Sequence, residues 1–503
     1  MSLKASRPAL LFSITPVHTM IPSKPPAYTP EELRELYPNE LQLKQVFVFI
    51  RHGERTPTSA RFHHIGLNPF WNQCGNIRKF MSVVLSGDTS GEWEELKWRR
   101  KLETFDDNGK PRIASDGKER NDKLCGLGEL TDIGRESMLD LGRRLRRLYV
   151  EQLKFLPPVI EETEDIHLRC SHLPRTLESL HQTFLGLYPA SCRGPRFEQT
   201  VVMRDEKEEI IMPNESHCPR FVQMMKAYTR YTAARWNGSP EMEYVNQKLQ
   251  SFMPKGEKIA VDSKPKIAGI YDTINATLGA NDPSIRLPAA FYEERILKIL
   301  DKIAYEEEFG PFSSNHEYRV LGIGPLMSDI VHRMVRNIAT APPLSGSLRP
   351  VQSALNASER FYLGSGHDST IMPILSAMGA LQIEDQRWPK FSSTATVELF
   401  HDGSYPNSVT RAAPIQTTPT SELTTPQKEL MTGWYVRLRY NNKEMSVPGC
   451  QKPGKHFKGR PTFCTLAAFK EIVDKMTPAD WKAECNLNLD KPAIPDIKQP
   501  AGF

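Results

Sequence analysis

The 503-residue chain contains no uninterrupted run of eighteen or more apolar residues, so nothing in it reads as a membrane-spanning helix. Its longest N-terminal apolar stretch, Ala9 to Ile14, is too short for the core of a signal peptide. An excess of one charge is also missing. With 65 Lys and Arg against 60 Asp and Glu the net charge is +5, far from the concentrated positive field of a nucleic-acid binder. Cysteine is limited to eight residues without a C-x-x-C pair, which excludes zinc-finger spacing and a thioredoxin-type redox motif. Composition reads these cysteines as buried thiols. Acidic residues are absent from the first thirty positions, where Lys4, Arg7 and Lys24 stand. That composition fits a mitochondrial leader and also a floppy tail on a cytoplasmic protein, so the compartment stays open.

What is present is ordinary core material. At 39% hydrophobic and 25% charged residues, the chain can build one large domain with a second one inserted. Pro22 to Tyr37 is rich in proline and acidic residues and reads as part of an irregular tail spanning 1–40. From Lys44 the run Gln45-Val46-Phe47-Val48-Phe49-Ile50 is apolar and β-branched or aromatic, as in a strand buried on both faces of a largely parallel sheet. A second such run, Ile166 to Cys170, leads into a helical pattern from Thr176 to Leu187. A third, Arg360 to Leu363, breaks at Gly364-Ser365-Gly366 and re-forms as an apolar helix from Ile371 to Met378. These strand, loop, helix units predict an α/β fold: a mostly parallel central sheet flanked by helices, with a smaller inserted helical cap. The core would comprise 41–195 and 355–490. The cap would comprise 196–354, with helices such as Arg220 to Thr232 and Phe291 to Glu307. Thr394 to Phe400 and Trp434 to Tyr440 read as a strand pair, and the Thr, Ser and Pro-rich stretch 402–432 as a disordered insertion.

The chemistry gathers at the strand ends. The first strand closes in Arg51-His52-Gly53-Glu54-Arg55-Thr56-Pro57, two guanidiniums bracketing an imidazole. In open α/β sheets the carboxyl ends of strands face the ligand crevice, and arginine forks pair with phosphate oxygens at two points. Gly53 has no Cβ to keep an anion from the backbone. The second unit supplies Ser171-His172-Leu173-Pro174-Arg175-Thr176. An arginine at the start of a helix is repelled by the positive end of the helix dipole unless an anion is present. The third is Gly364-Ser365-Gly366-His367-Asp368-Ser369-Thr370, where a helix N-terminus offers amide groups to an anion; read as structure alone, it is a helix cap. Other candidates carry less. His401-Asp402 repeats the dipeptide but follows a strand without a glycine turn and reads as surface. His63-His64 and Cys74 lack an acidic ligand to complete a metal site and read as structural. No metal or cofactor is implied.

An RHGxRxP turn followed far downstream by a His-Asp pair resembles the acid phosphatase branch of the histidine phosphatases. The resemblance runs from about Leu41 to Cys485, and includes Arg175-Thr176 and Gly128-Glu129-Leu130-Thr131-Asp132-Ile133-Gly134, which is similar to the family's G-x-L-T-x-x-G turn. The flanking text is similar to the lysophosphatidic acid phosphatase group within that branch. The resemblance implies a metal-independent phosphomonoesterase with His52 as nucleophile and Asp368 as proton donor. Arg51, Arg55, Arg175 and His367 would form the phosphate pocket, with the substrate's charge spread over three arginines and an imidazolium. The partner would be a small-molecule or lipid phosphate monoester. The group that orients His52 is not legible. A phytase, a broad-specificity acid phosphatase and an inactive phosphate-ester binding relative remain alternatives. The resemblance also implies that Cys218 lies near Cys485, and Cys450 near Cys464.

Overall fold

The computed structural model describes residues 28–86, 91–106, 108–118, 121–161, 166–340, 360–405, 415 and 417–503. The leader-like composition of residues 1–27 lies outside these. The chain builds one nine-stranded mixed sheet. Its strands, in chain order, are β1 (Leu41–Arg51), β2 (His167–Cys170), β3 (Val201–Val202), β4 (Phe361–Gly366), β5 (Thr394–Asp402), β6 (Trp434–Tyr440), β7 (Lys443–Met445), β8 (His456–Phe457) and β9 (Arg460–Thr465). They lie in the order β8-β9-β6-β5-β1-β4-β2-β3, with β7 on β6. Strands β1, β4, β2 and β3 pair in parallel, and the sheet continues antiparallel from β1 through β5 and β6.

The alternation within β1 explains its apolar run. Phe47 and Phe49 enter one core layer, while Val46, Val48 and Ile50 enter the other. Register then sets the functional end of the sheet. Ser365 of β4 sits opposite both Ile50 of β1 and Cys170 of β2, so the three loops that follow begin at one level. Helices Pro174–Leu187 and Asp368–Ala377 leave two of those loops; the first opens with Pro174, whose missing N–H costs nothing in a first helical turn.

Between β3 and β4, helices include Pro219–Trp236, Ile267–Gly279, Glu294–Glu308 and Gly324–Thr340. The middle of this stretch has its own apolar cluster, in which Met242, Val245, Ile270, Ile274 and Leu300 meet. Its last helix belongs to the sheet instead: Met327, Ile330 and Met334 join the layer of Phe47 and Phe49.

Several expectations need correction. The 1–40 tail contains a helix, Pro30–Leu36, because Thr29 and Glu32 form a reciprocal capping box. Gly364-Ser365-Gly366 does not break β4 but completes it, since Gly364 makes room for the Phe49 ring. In the 402–432 insertion, residues 406–414 and 416 lie outside the described set. The rest is ordered: Ile415, Leu423 and Met431 are buried and Thr425–Glu429 is helical. His401 and Asp402 are buried rather than surface, because β5 runs on through them and His401 packs on Trp434. The cysteines are not all thiols. Cys218 and Cys485 (Cα atoms 4.7 Å apart) and Cys450 and Cys464 (5.2 Å) form the two implied bonds, and Cys74 and Cys125 form a third. Cys170 and Cys192 are free.

Candidate active site

The loop after β1 turns back under the helix that starts at Asp132. A Cβ on Gly53 would lie 2.4 Å from the carbonyl oxygen of Gly134, and one on Gly134 would lie 2.1 Å from that of Glu54. The two bare Cα atoms thus allow two backbones to touch. This corrects the sequence reading of Gly53, whose open side is filled by protein, not held free for an anion. The contact ties the G-x-L-T-x-x-G turn to the RHG loop, and Thr131 N–H completes it by donating to Glu54 O (2.9 Å).

His52 is fully buried. Its backbone N–H donates to Gly366 O (3.0 Å), which joins the first loop to the third. Its Nδ1 lies 2.9 Å from Gly53 O, a partner that can only accept, so Nδ1 carries the proton and Nε2 keeps the lone pair. Burial, then Arg55, Arg175 and Arg51, hold the imidazole well below its usual pKa, so it is neutral.

A cavity of about 320 Å3 opens over His52, lined by Arg55, Arg61, Arg175, Asp272, His367 and Asp368 among others. Leu173, Met212 and Ala268 add apolar lining. Among the described residues Arg175 forms no ion pair, and burial with Arg55 nearby lowers its pKa to about 10. The Nε atoms of Arg51, Arg55 and Arg175 are all buried without a hydrogen-bond acceptor among the described residues. Unpaired buried cationic donors at one place suit an anion. A larger cleft, about 760 Å3 and lined in part by Tyr231, Lys302 and Arg387, contains none of the site residues expected from sequence.

Not every expected residue faces this cavity in the expected way. Arg51 stands behind it, donating to Pro389 O and forming an ion pair with Asp368 Oδ2 at 2.8 Å. His367 does line it, with Nε2 2.9 Å from Ser171 Oγ, but burial and Arg175 lower its pKa to about 3. The imidazolium expected from sequence is therefore a neutral imidazole in the free site. Burial opposes the charge on Asp368, yet Arg51, Arg55 and the Ser369 amide overcome it and hold the carboxyl below its usual range.

Sequence reasoning missed residues brought in from elsewhere. Trp388 Nε1 donates to Asp368 Oδ2 (3.0 Å), and Phe391 lies under the Arg51 guanidinium (4.4 Å to the ring centre). Ser392 N–H donates to His52 O (3.3 Å). From the cap, Asp272 of helix Ile267–Gly279 forms an ion pair with Arg55 at 2.7 Å. A single charged residue in an otherwise uncharged helix was the available signal for Asp272. The 386–393 segment offered none. Of the other candidates, His64 Nε2 sits 3.0 Å from Phe252 O, and Cys74 is in its disulfide.

The comparisons agree with this architecture. Residues 42–441 match the family model of the histidine phosphatase superfamily, branch 2. A probable acid phosphatase of Schizosaccharomyces pombe is 32% identical over 468 residues, covering 89% of this chain and 95% of that one. The lysophosphatidic acid phosphatase type 6 of Bos taurus is 24% identical, covering 82% of this chain and 80% of the relative. Among solved structures, a Hafnia alvei phytase in complex with tartrate shares the fold, at TM-score 0.51 and 14% identity over 89% of this chain and 99% of its own. The chain is thus an enzyme of the phosphatase class. It belongs to branch 2 of the histidine phosphatase superfamily, the acid phosphatase branch.

Proposed function

We propose that His52 accepts the phosphoryl group of a phosphate monoester and that Asp368 handles the leaving-group proton, with Arg55, Arg175 and His367 around the phosphate. The observation that carries this reading is the His52 ring, its Nδ1 fixed by Gly53 O, on the floor of a cavity walled by arginines and one further His-Asp pair. Nε2 attacks phosphorus as the ester P–O bond breaks, and Asp368 gives its proton to the departing alkoxide. Asp368, now a carboxylate, takes a proton from water as that water attacks the phosphohistidine. Phosphate leaves, His52 is regenerated and Asp368 is protonated again. Arg51 acts from behind, holding Asp368 and adding positive charge to the transition state.

The substrate we favour is a lipid phosphate of the lysophosphatidic acid type, supported by the apolar lining residues Leu173, Met212 and Ala268 and by the name of the Bos taurus relative. Core 41–195 with 355–490 would supply the chemistry, and the middle of 196–354, which has its own apolar cluster, the access. The three disulfides favour folding in an oxidising compartment. Rapid quench with 32P-labelled p-nitrophenyl phosphate tests the mechanism: an acid-labile, alkali-stable phosphoenzyme should form on the wild type and not on His52→Ala. A panel of lysophosphatidic acid, inositol hexakisphosphate and phosphotyrosine tests the substrate. Binding without turnover on every ester would favour the non-catalytic alternative.

A further inference from the structure

The cap helix Ile267–Gly279 is apolar where it meets its own cluster, through Ile267, Ile270 and Ile274. Ala268, Gly269 and Asp272 lie on another side and line the cavity over His52. Positions 268 and 272 are four apart and share one helical face. Asp272 is therefore the carboxylate that the cap presents to the phosphate pocket. Its Oδ1 lies 2.7 Å from Arg55, and its Oδ2 accepts from the Thr58 N–H and hydroxyl, both at 3.2 Å, with Arg61 3.6 Å away.

We infer that Asp272 is a specificity-determining residue that restricts this site to esters whose phosphate is the only anionic group. This rests on reading the cavity as a phosphomonoesterase site. The wall carries Arg55, Arg61 and Arg175, with Arg51 behind, and Asp272 is the wall carboxylate that stays charged when Asp368 holds the proton it donates. A second phosphate or a carboxylate beside the scissile group meets Asp272, which its bonds to Arg55 and Thr58 hold in the wall. Although burial works against its charge, Arg55 and the Thr58 amide keep its carboxyl below the usual range, which favours the charged, repelling form. A neighbouring hydroxyl, by contrast, can donate to it. The substrate class is a single phosphate on a neutral polyol or its lipid ester, with polyphosphates excluded.

The test compares glycerol 3-phosphate with 3-phosphoglycerate, which share a three-carbon skeleton and differ in one carboxylate. Wild-type enzyme should favour glycerol 3-phosphate by roughly tenfold or more in kcat/KM, the scale of one unscreened like charge in a partly buried site. Asp272→Asn should bring the two substrates within roughly threefold, whereas Asp272→Glu, which keeps the charge, should retain the preference. A merely structural Asp272 would lower both rates together and leave their ratio unmoved, which overturns the inference. So does a wild-type enzyme that takes both substrates equally well, a measurement that needs no variant to fold. If the wild type hydrolyses no phosphate monoester at all, the phosphomonoesterase reading falls, and this inference with it. If it hydrolyses them but does not discriminate, only the inference falls.

Discussion

Nδ1 of His52 lies 2.9 Å from the carbonyl oxygen of Gly53, its own neighbour in the chain. A carbonyl cannot donate, so the bond fixes the tautomer and leaves the lone pair on Nε2, the atom proposed to attack phosphorus. The phosphoenzyme trapped on this protein should therefore carry phosphorus on Nε2. 31P chemical shift and alkaline digestion distinguish the two phosphohistidine isomers, and phosphorus on Nδ1 would contradict the geometry. His52→Ala should reduce turnover to background while leaving the circular dichroism spectrum intact.

The two buried imidazoles make stability fall with acid. An unfolded histidine binds its proton near pH 6.5, whereas His367 does so at about 3 and His52 well below its usual value when folded. Between those limits the unfolded chain holds more protons, so lowering pH favours it. Each imidazole removes roughly 1.4 kcal/mol per pH unit from about 6.5 downward, until its folded pKa is reached. Urea midpoints at pH 6.5 and 4.5 should fall accordingly, and His367→Gln should flatten the slope. Inorganic phosphate, bound only by the folded site, should restore part of the loss. A pH-independent midpoint would mean the imidazoles are not desolvated.

Much of the site was legible because its pieces sit at strand ends. Arg51-His52, Arg175 and His367-Asp368 each follow a run whose apolar character marks a buried strand, and parallel register aligns those ends without further information. Residues carried by other elements were not. Trp388 and Phe391 reach the loop from an irregular connection, and Asp272 from the cap. Only tertiary contact gives them meaning. The glycines were found for an incomplete reason: Gly53 is required by Gly134, 81 residues further along the chain and invisible to local pattern. Likewise Cys74 and Cys125 carried no spacing signal, while the other two pairs came through family resemblance.

The long and short disulfides should differ in worth. Cys218 and Cys485 are 267 residues apart, and Cys450 and Cys464 only 14. On the chain-entropy account the first removes about 5–6 kcal/mol of unfolded-state entropy and the second about 3 kcal/mol. Paired Cys→Ser replacement at 218 and 485 should lower the urea midpoint more than replacement at 450 and 464. The reverse order would show that local strain or packing, not loop closure, dominates here.

Asp368 is the residue whose role depends most on the substrate. Its Oδ2 accepts from Trp388 Nε1 at 3.0 Å and from Arg51 at 2.8 Å, and its Oδ1 accepts from the Ser369 amide at 2.8 Å. Trp388 is itself held by its backbone N–H on Asp301 Oδ1 (2.8 Å) and by the Phe309 ring, 5.0 Å away between centres. These donors favour the carboxylate, so the proton the mechanism needs is present only in acid, or after a bound phosphate dianion adds negative charge beside Asp368 and raises its pKa. A glycerol alkoxide leaves poorly without that proton, whereas p-nitrophenolate barely needs it. Asp368→Asn should then lose roughly a hundredfold to ten-thousandfold in kcat/KM on glycerol 3-phosphate and far less on p-nitrophenyl phosphate. Trp388→Phe removes one donor to the charged form, so the basic limb of its kcat profile on glycerol 3-phosphate should move to higher pH, with a smaller loss in rate. If Asp368 were only a helix cap, both substrates would suffer equally, with a stability loss of about 0.5–2 kcal/mol and an unmoved limb in Trp388→Phe. The ratio between the two leaving groups therefore separates a proton donor from a cap, because only a donor can tell one alkoxide from the other.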